Sequence, residues 1–387
     1  MEEKNNKGTF GYDLEFLKKY HEDLVVLKDS SGNCQLIICP AYQGRVMTST
    51  SRGEKGMSYG WINYELIESR KKLEKINPFG GEDRFWLGPE GGQFSVFFKK
   101  GSKFDFSDWN TPAVFDTEPF TTLSSNDTEA VFEKSAELEN YAGTIFKFTA
   151  NRIIRLINEE HAEKILGLDI KDNIDWIGFE SENTLTNSGD NEWNKETGMP
   201  SIWILGMFAP SPSTTIVIPY VSGDTIISDK IVEDSYFGKI GKDRLVISED
   251  VVFFKGDGQK RGKIGIPPTR AKSILGSYDS KNKVLTVVNY NLHPYRTDYV
   301  NSLWKFQDNP FGGDAVNAYN DGPLEDGSQM GPFYELETSS PAAGLSPGSM
   351  ISHVHRTFHF TGEETDLDEM AKELFGISLD KITSVFN

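Results

Sequence analysis

Apolar and polar positions alternate along this chain in short runs, and the dominant period is two rather than 3.6. The runs lie at 24–27, 34–39, 45–50, 94–98, 130–133, 144–149, 174–180 and 202–208. They continue at 214–220, 245–247, 251–254, 284–290, 333–337 and 351–360. Gly, Asn, Asp and Ser cluster between them, as at 29–33, 188–191, 222–224 and 256–258. Many short strands with such punctuation predict an all-β sandwich or barrel. A chain without regular strand–helix alternation is not a parallel α/β protein. Only three windows read as helical: 12–20, 158–167 and 365–376. In the last, Thr365 and Asp368 have capping-box spacing, Gly376 supplies the stop, and Leu367, Met370, Ala371 and Leu374 form one docking stripe. The expected organisation is a polar leader with a short helix (1–20), one continuous β domain (21–362) and a helical tail (363–387).

Composition narrows the partners. The 387 residues carry 40 basic and 58 acidic side chains, a net charge of −18. Such a surface repels phosphate backbones and anionic lipid, so neither nucleic acid nor a membrane is expected as a partner. No apolar run reaches the ~18 residues of a membrane-spanning helix. The opening MEEKNNKGTFGYD lacks the apolar core of a secretory signal, and the compartment stays open. Cys34 and Cys39, five apart in one strand run, face opposite sides and do not suit a disulfide.

Candidate chemistry concentrates in a few stretches. In GPFYELETSSPAAGLSPG (331–348), Glu335 and Glu337 share one strand face and Tyr334 and Leu336 the other. An acidic pair costs β-propensity, so it marks either a site or a wet edge strand. The letters GLSPG fit a nucleophile elbow, but Pro347 after the Ser has no N–H for an oxyanion, which rules that chemistry out. The densest stretch is NPFGGEDRFWLGPEGGQFS (77–95). Its glycines permit close approach of a ligand, Arg84 offers a fork of donors, Glu82 an acceptor and Trp86 a stacking face. Read blandly, it is a sheet corner with Glu82, Asp83 and Arg84 solvated. Arg45 and the pair Asp116/Glu118 are weaker candidates of the same kind. Trp193 and Trp203 could line a pocket, while Asn183, Asn187 and Asn191 read as hairpin-turn residues. His293, just past a strand, is a possible acid–base group at a sheet rim. His353, His355 and His359 share one strand face; His355 and His359 are about 13 Å apart at the strand rise, too far to hold one metal. No metal or other cofactor is indicated, and Ca²⁺ bound by scattered loop oxygens would leave no spacing signature. GDGQKRGK (256–263) departs from a phosphate-loop spacing by one residue.

GGEDRFWLGPEGG, FESENTLTNSGDNEW and YELETSSPAAGLSPG occur in an order that resembles the galactose mutarotase-like (aldose 1-epimerase) superfamily. That resemblance covers about residues 24–362 and is closest to an uncharacterised branch. It implies a large two-sheet antiparallel β-supersandwich that binds a mono- or oligosaccharide in a sheet-face cleft. It further implies anomeric ring opening by a carboxylate base and a general acid. Glu337 falls at the base position, with Glu335 the alternative if the register is off by one pair. The family's acid is a His directly after a mid-chain Thr-Asn, whereas here Thr186-Asn187 is followed by Ser188-Gly189. His293 is the substitute the sequence offers. Arg84, Glu82, Trp86, Glu335, Trp193 and Arg45 would then bind substrate. The alternatives are a non-catalytic carbohydrate-binding protein and, third, a relative of the polysaccharide lyases.

Overall fold

Period-two alternation assembles into two large antiparallel sheets. The computed structural model describes residues 6–223, 230–293, 295–324 and 326–386. Ten strands form one sheet, whose centre pairs Val284–Tyr290, Met350–Thr361, Asp175–Asn187 and Ile145–Leu156 in that order. Five form the other, in the order Gly262–Ile266, Val316–Asn320, Tyr334–Ser339, Ser201–Phe208 and Arg84–Gly88. A small third sheet, Val25–Lys28, Gln35–Cys39 and Arg45–Thr50, touches the five-stranded one through the Val46–Asp83 bridge.

One face of each large sheet packs on the other. Leu336, Val316, Ala318, Ile264 and Ile266 from the smaller sheet meet Ile216, Ile218, Leu275 and Val288 from the larger. The larger sheet's outer face is covered by helices. Leu367, Met370, Ala371 and Leu374 of Glu364–Phe375 are all buried and pack with Val217, Phe253, Leu285 and Phe358. The stripe read from the sequence therefore docks as expected. The N-terminal helix, Phe10–Lys18, is likewise tied down, with Phe10, Leu14 and Leu17 against Ile37, Met47 and Ile62.

Several expectations require correction. Residues 94–98 form no strand; Val96, Phe97 and Phe98 are buried while the backbone turns, with Val96 N–H bonding the Pro89 carbonyl and Tyr141 N–H bonding the Ser95 carbonyl. Burial alone had mimicked pairing there. Conversely, Arg84–Gly88, Thr121–Ser125, Gly262–Ile266, Ile274–Asp279 and Val316–Asn320 are strands that the pattern did not predict. Two of them, Arg84–Gly88 and Gly262–Ile266, sit in glycine-rich sequence, where a weak intrinsic preference is overridden by pairing at the two edges of the five-stranded sheet. Asn183 lies inside a strand, not a turn, because its amide is occupied by Ser181 and the His353 carbonyl. Asn187 does close that strand, its Oδ1 accepting from Gly189 N–H at 3.1 Å. The last long helix begins at Glu364 without a side-chain cap, and Asp368 instead accepts from Leu379 N–H at 2.7 Å. Asn158 and Gly167 cap the Glu159–Leu166 helix at its two ends. The turn expected at 222–224 runs into residues outside the described ones.

Candidate functional site: a charged, tryptophan-lined cleft on the smaller sheet

Strand register decides which side chains share the outer face of the five-stranded sheet. Leu336 and Thr338 point inward, since Leu336 is in the inter-sheet core and Thr338 Oγ1 lies 2.8 Å from both His353 and His355. Glu335 and Glu337 therefore point outward. Glu335 sits across from Tyr319 and Met207, and Glu337 across from Asn317 and Leu205. Lys263 neighbours Tyr319, while Arg84 and Trp86 neighbour Leu205 and Trp203. One contiguous face thus carries two carboxylates, two cations and two indoles.

Loops convert that face into a cleft with about 550 Å³ of empty space, its open mouth included. Trp86, Trp109, Trp203 and Trp304 line it, together with Phe106, Phe237 and Phe333. Glu90, Arg261, Lys263, Arg84 and Glu335 supply its charges. Two glycines set the strand's entry. Gly80 and Gly81 have φ of +99° and +112°, and a Cβ on Gly80 would lie 2.0 Å from the Trp61 carbonyl oxygen. Only glycine fits that approach.

The charged groups are arranged in pairs. Arg84 Nη2 donates to Glu335 Oε1 at 2.6 Å, and the guanidinium lies 4.4 Å over the Trp86 ring. Glu337, fully buried beneath the cleft surface, accepts from Trp203 Nε1 at 2.9 Å and Lys263 Nζ at 3.1 Å. Its other oxygen has no partner among the described residues. Burial pushes the Glu335 carboxyl up to about 8; Arg84 opposes the shift and the neighbouring Glu337 adds to it. Glu90 is also raised, chiefly by burial, against the pull of Lys263. Burial alone would lower the Lys263 ammonium, but Glu337, Glu90 and Glu335 together raise it.

The remaining sequence candidates lie elsewhere. Glu82 is fully buried between the sheets, bonded to Ser49 and to His359 Nε2 at 2.9 Å. It is not solvated, and it does not line the cleft. Asp83, also buried, pairs with Arg152. Arg45 is buried too, donating to the Gly80 carbonyl and to Gln43 Oε1 at 2.9 Å each. Burial, with Arg84 close by, lowers its pKa to about 9. Asp116 is taken up by Asn77, and Glu118 pairs with Lys134 at the surface. Trp193 packs edge-on to Phe146 in the core. None of the six histidines lines the cleft. His293 is half-buried on a loop 3.5 Å from Asn291, and His353, His355 and His359 are enclosed between the sheets rather than on an open polar face. Among the described residues, no group of three His, Cys, Asp or Glu side chains could hold a metal ion.

Sequence reasoning missed Glu90, Arg261, Lys263, Trp109, Trp304 and Phe237. Arg261 and Lys263 were legible as an alternating basic pair leading into Gly262–Ile266, but the glycines there suggested a loop. Trp304 and Phe237 come from irregular segments that carry no periodic signal.

The fold places this chain among galactose mutarotase-like structures. The family model described as "Family of unknown function (DUF6786)" matches residues 8–386. No curated protein matches the sequence. Among solved structures, the Slr1438 protein of Synechocystis sp. PCC 6803 aligns with a TM-score of 0.51 at 13% identity, over 88% of this chain and 96% of that one. A candidate aldose 1-epimerase of Escherichia coli K12 gives 0.51 at 9% identity, over 88% and 99%. A galactose mutarotase-like protein of Lactobacillus casei gives 0.50 at 9% identity, over 87% and 99%.

Proposed function

The chain belongs to the DUF6786 family, and we propose that its cleft on the five-stranded sheet binds a carbohydrate. The observation that carries this reading is the combination of four indole rings with a floor of paired charges in one cleft. Indole faces suit the apolar C–H faces of a pyranose, while Arg84, Lys263, Glu335 and Glu90 can donate to and accept from ring hydroxyls. A cleft of mostly apolar lining with a few convergent polar groups is the ordinary form of a small-molecule site. The mutarotase-like fold, and the aldose 1-epimerase and galactose mutarotase names borne by its structural neighbours, support the same class of ligand.

A second reading is favoured by one specific observation. Ring opening needs one atom that takes the anomeric proton and another that protonates the ring oxygen. Glu335 lines the cleft and, with a pKa of about 8, holds a proton near neutrality. Glu337 lies beneath the surface, clamped by Trp203 and Lys263. In this reading the protonated Glu335 carboxyl gives its proton to the ring oxygen while its other oxygen takes the anomeric proton, so the carboxyl is regenerated, and Glu337 and Arg84 set its charge state. The acid is then a carboxyl rather than the expected His293.

NMR titration of a panel of aldoses, combined with α/β anomer exchange, tests both readings. Line broadening or shift of at least one sugar, lost in Trp203→Ala, is the expected result for binding. Exchange above the spontaneous rate that collapses in Glu335→Gln supports the acid–base reading. No perturbation of any sugar would remove the carbohydrate assignment.

A further inference from the structure

Three cations face the cleft, and two of them are bonded directly to carboxyl groups. Arg84 is paired with Glu335 and Lys263 with Glu337. Arg261 makes no hydrogen bond or ion pair to any described residue, and its Nε is buried without a partner. Its guanidinium lies 3.8 Å over the Phe237 ring, which itself packs edge-on to Trp304. A guanidinium stacked on a ring keeps its N–H groups in plane and free for a planar or tetrahedral anion.

The nearby carboxyls do not take that role. Asp321 accepts from Tyr319 Oη at 2.6 Å and from Gly331 N–H at 3.0 Å. Glu90 lines the same cleft, and burial favours its neutral form. Glu90 and Asp321 lie close enough to feel the Arg261 charge but neither bonds it, so this half-buried cation keeps N–H groups that a ligand in the cleft can use. The protein's overall charge of −18 does not cancel this, because the low-dielectric walls make the local arrangement dominate.

We infer that Arg261 is a specificity residue for an anionic substituent, a carboxylate or phosphate carried by the sugar that the cleft binds. This rests on the carbohydrate reading given above and narrows it to acidic sugars. The Trp-lined part would hold the ring, and Arg261 would hold the charged group. A single anionic group fits; a polyanionic chain would meet the acidic surface outside.

The test compares neutral aldoses with their uronic acids and sugar phosphates by calorimetric titration. Wild type is expected to bind at least one acidic sugar about tenfold or more tightly than its neutral parent, the effect of one charge-assisted hydrogen-bond set. In Arg261→Gln that ratio falls towards one, and in Arg261→Lys it is partly kept. Which acid wins, uronate or phosphate, identifies the substituent. Equal affinity for neutral and acidic sugars in wild type overturns the inference and leaves the carbohydrate reading standing, with Arg261 only a packing group on Phe237. A preference that survives Arg261→Gln assigns the anion to another residue and overturns it equally. Binding of no sugar of either kind removes both.

Discussion

Two faces of the five-stranded sheet concentrate ionisable side chains, and they behave differently. The outer face carries Arg84, Glu335, Glu337 and Lys263 under an open cleft. The inner face looks onto a closed layer of Glu82, Asp83, Arg152, His353, His355 and His359, each no more than 1% exposed. Both are paired, both are rich in chemistry, and only one is reachable. Catalytic-looking composition is thus no guide to function until a surface is shown to open onto it. In the inner layer the pairs exist because charge buried alone would be prohibitive, and they tie the segment entering Arg84–Gly88 to the larger sheet through Asp83–Arg152 and Glu82–His359.

The largest expected difference between the faces is therefore in stability. Arg152 and Asp83 are both fully buried, and Ser181 Oγ also donates to Asp83, at 2.6 Å. Asp83→Asn leaves the Arg152 guanidinium without a counter-charge and is expected to cost about 3–5 kcal/mol. Glu335→Gln removes the partner of Arg84, but water can reach that pair through the cleft, so its cost should be clearly smaller. Urea unfolding of the two variants side by side measures this. Equal losses would mean the cleft is as dry as the inter-sheet layer.

Much of this contrast was visible in the sequence, and the missing part has a physical cause. The sheets, the C-terminal docking stripe and the shared face of Glu335 and Glu337 follow from local periodicity. Which face becomes the cleft does not. Glu82 and Arg84 lie two apart in one glycine-rich segment, yet Glu82 precedes the strand and turns inward while Arg84 begins it and faces out. That assignment depends on pairing with Ser201–Phe208, more than a hundred residues away, and no local pattern contains it. The same holds for Trp304 and Phe237, brought over the cleft by irregular segments. His293 was singled out for its loop setting and as the substitute for the histidine missing after Thr186-Asn187, and the fold leaves it off the cleft.

The two faces should also respond to pH in opposite directions. Burial raises Glu335 to about 8, so the native state holds a proton there that the unfolded chain releases near 4.5. Stability from that group is complete at low pH and is lost as pH rises towards 8. Asp314, raised by burial to about 7, adds in the same sense. Burial lowers His355 to about 4, with Asp83 opposing, so its contribution is present above about 6.5 and is lost as pH falls towards 4. The windows overlap between about pH 4.5 and 6.5, where the two carboxyls outweigh the one imidazole, so the stability these three groups contribute falls as unfolding is followed from pH 4.5 to 8. Glu335→Gln should flatten this falling limb, most visibly above pH 6.5, and His355→Gln should steepen it below pH 6.5. A Glu335→Gln profile that superimposes on wild type above pH 6 would refute the assignment of that limb to the cleft.

The finest form of the comparison uses two neighbours on one strand. Thr338 faces inward and its hydroxyl lies 2.8 Å from His353 Nε2 and from His355 Nδ1. Ser339 faces the cleft side, opposite Trp203, and its hydroxyl has no hydrogen-bond partner among the described residues. Thr338→Val keeps the volume and removes the hydroxyl from both imidazoles, which burial already holds neutral. The bonds lost are ordinary, but the ring nitrogens left behind have no water to turn to, so the cost should be about 1–3 kcal/mol. Ser339→Ala removes a hydroxyl that no protein group uses, and its effect should stay below about 0.5 kcal/mol. Chemical unfolding of both variants resolves the difference. If Ser339→Ala costs as much as Thr338→Val, the cleft-side hydroxyl is bonded to ordered water, and the outer face is as tightly organised before ligand arrives as the inner one.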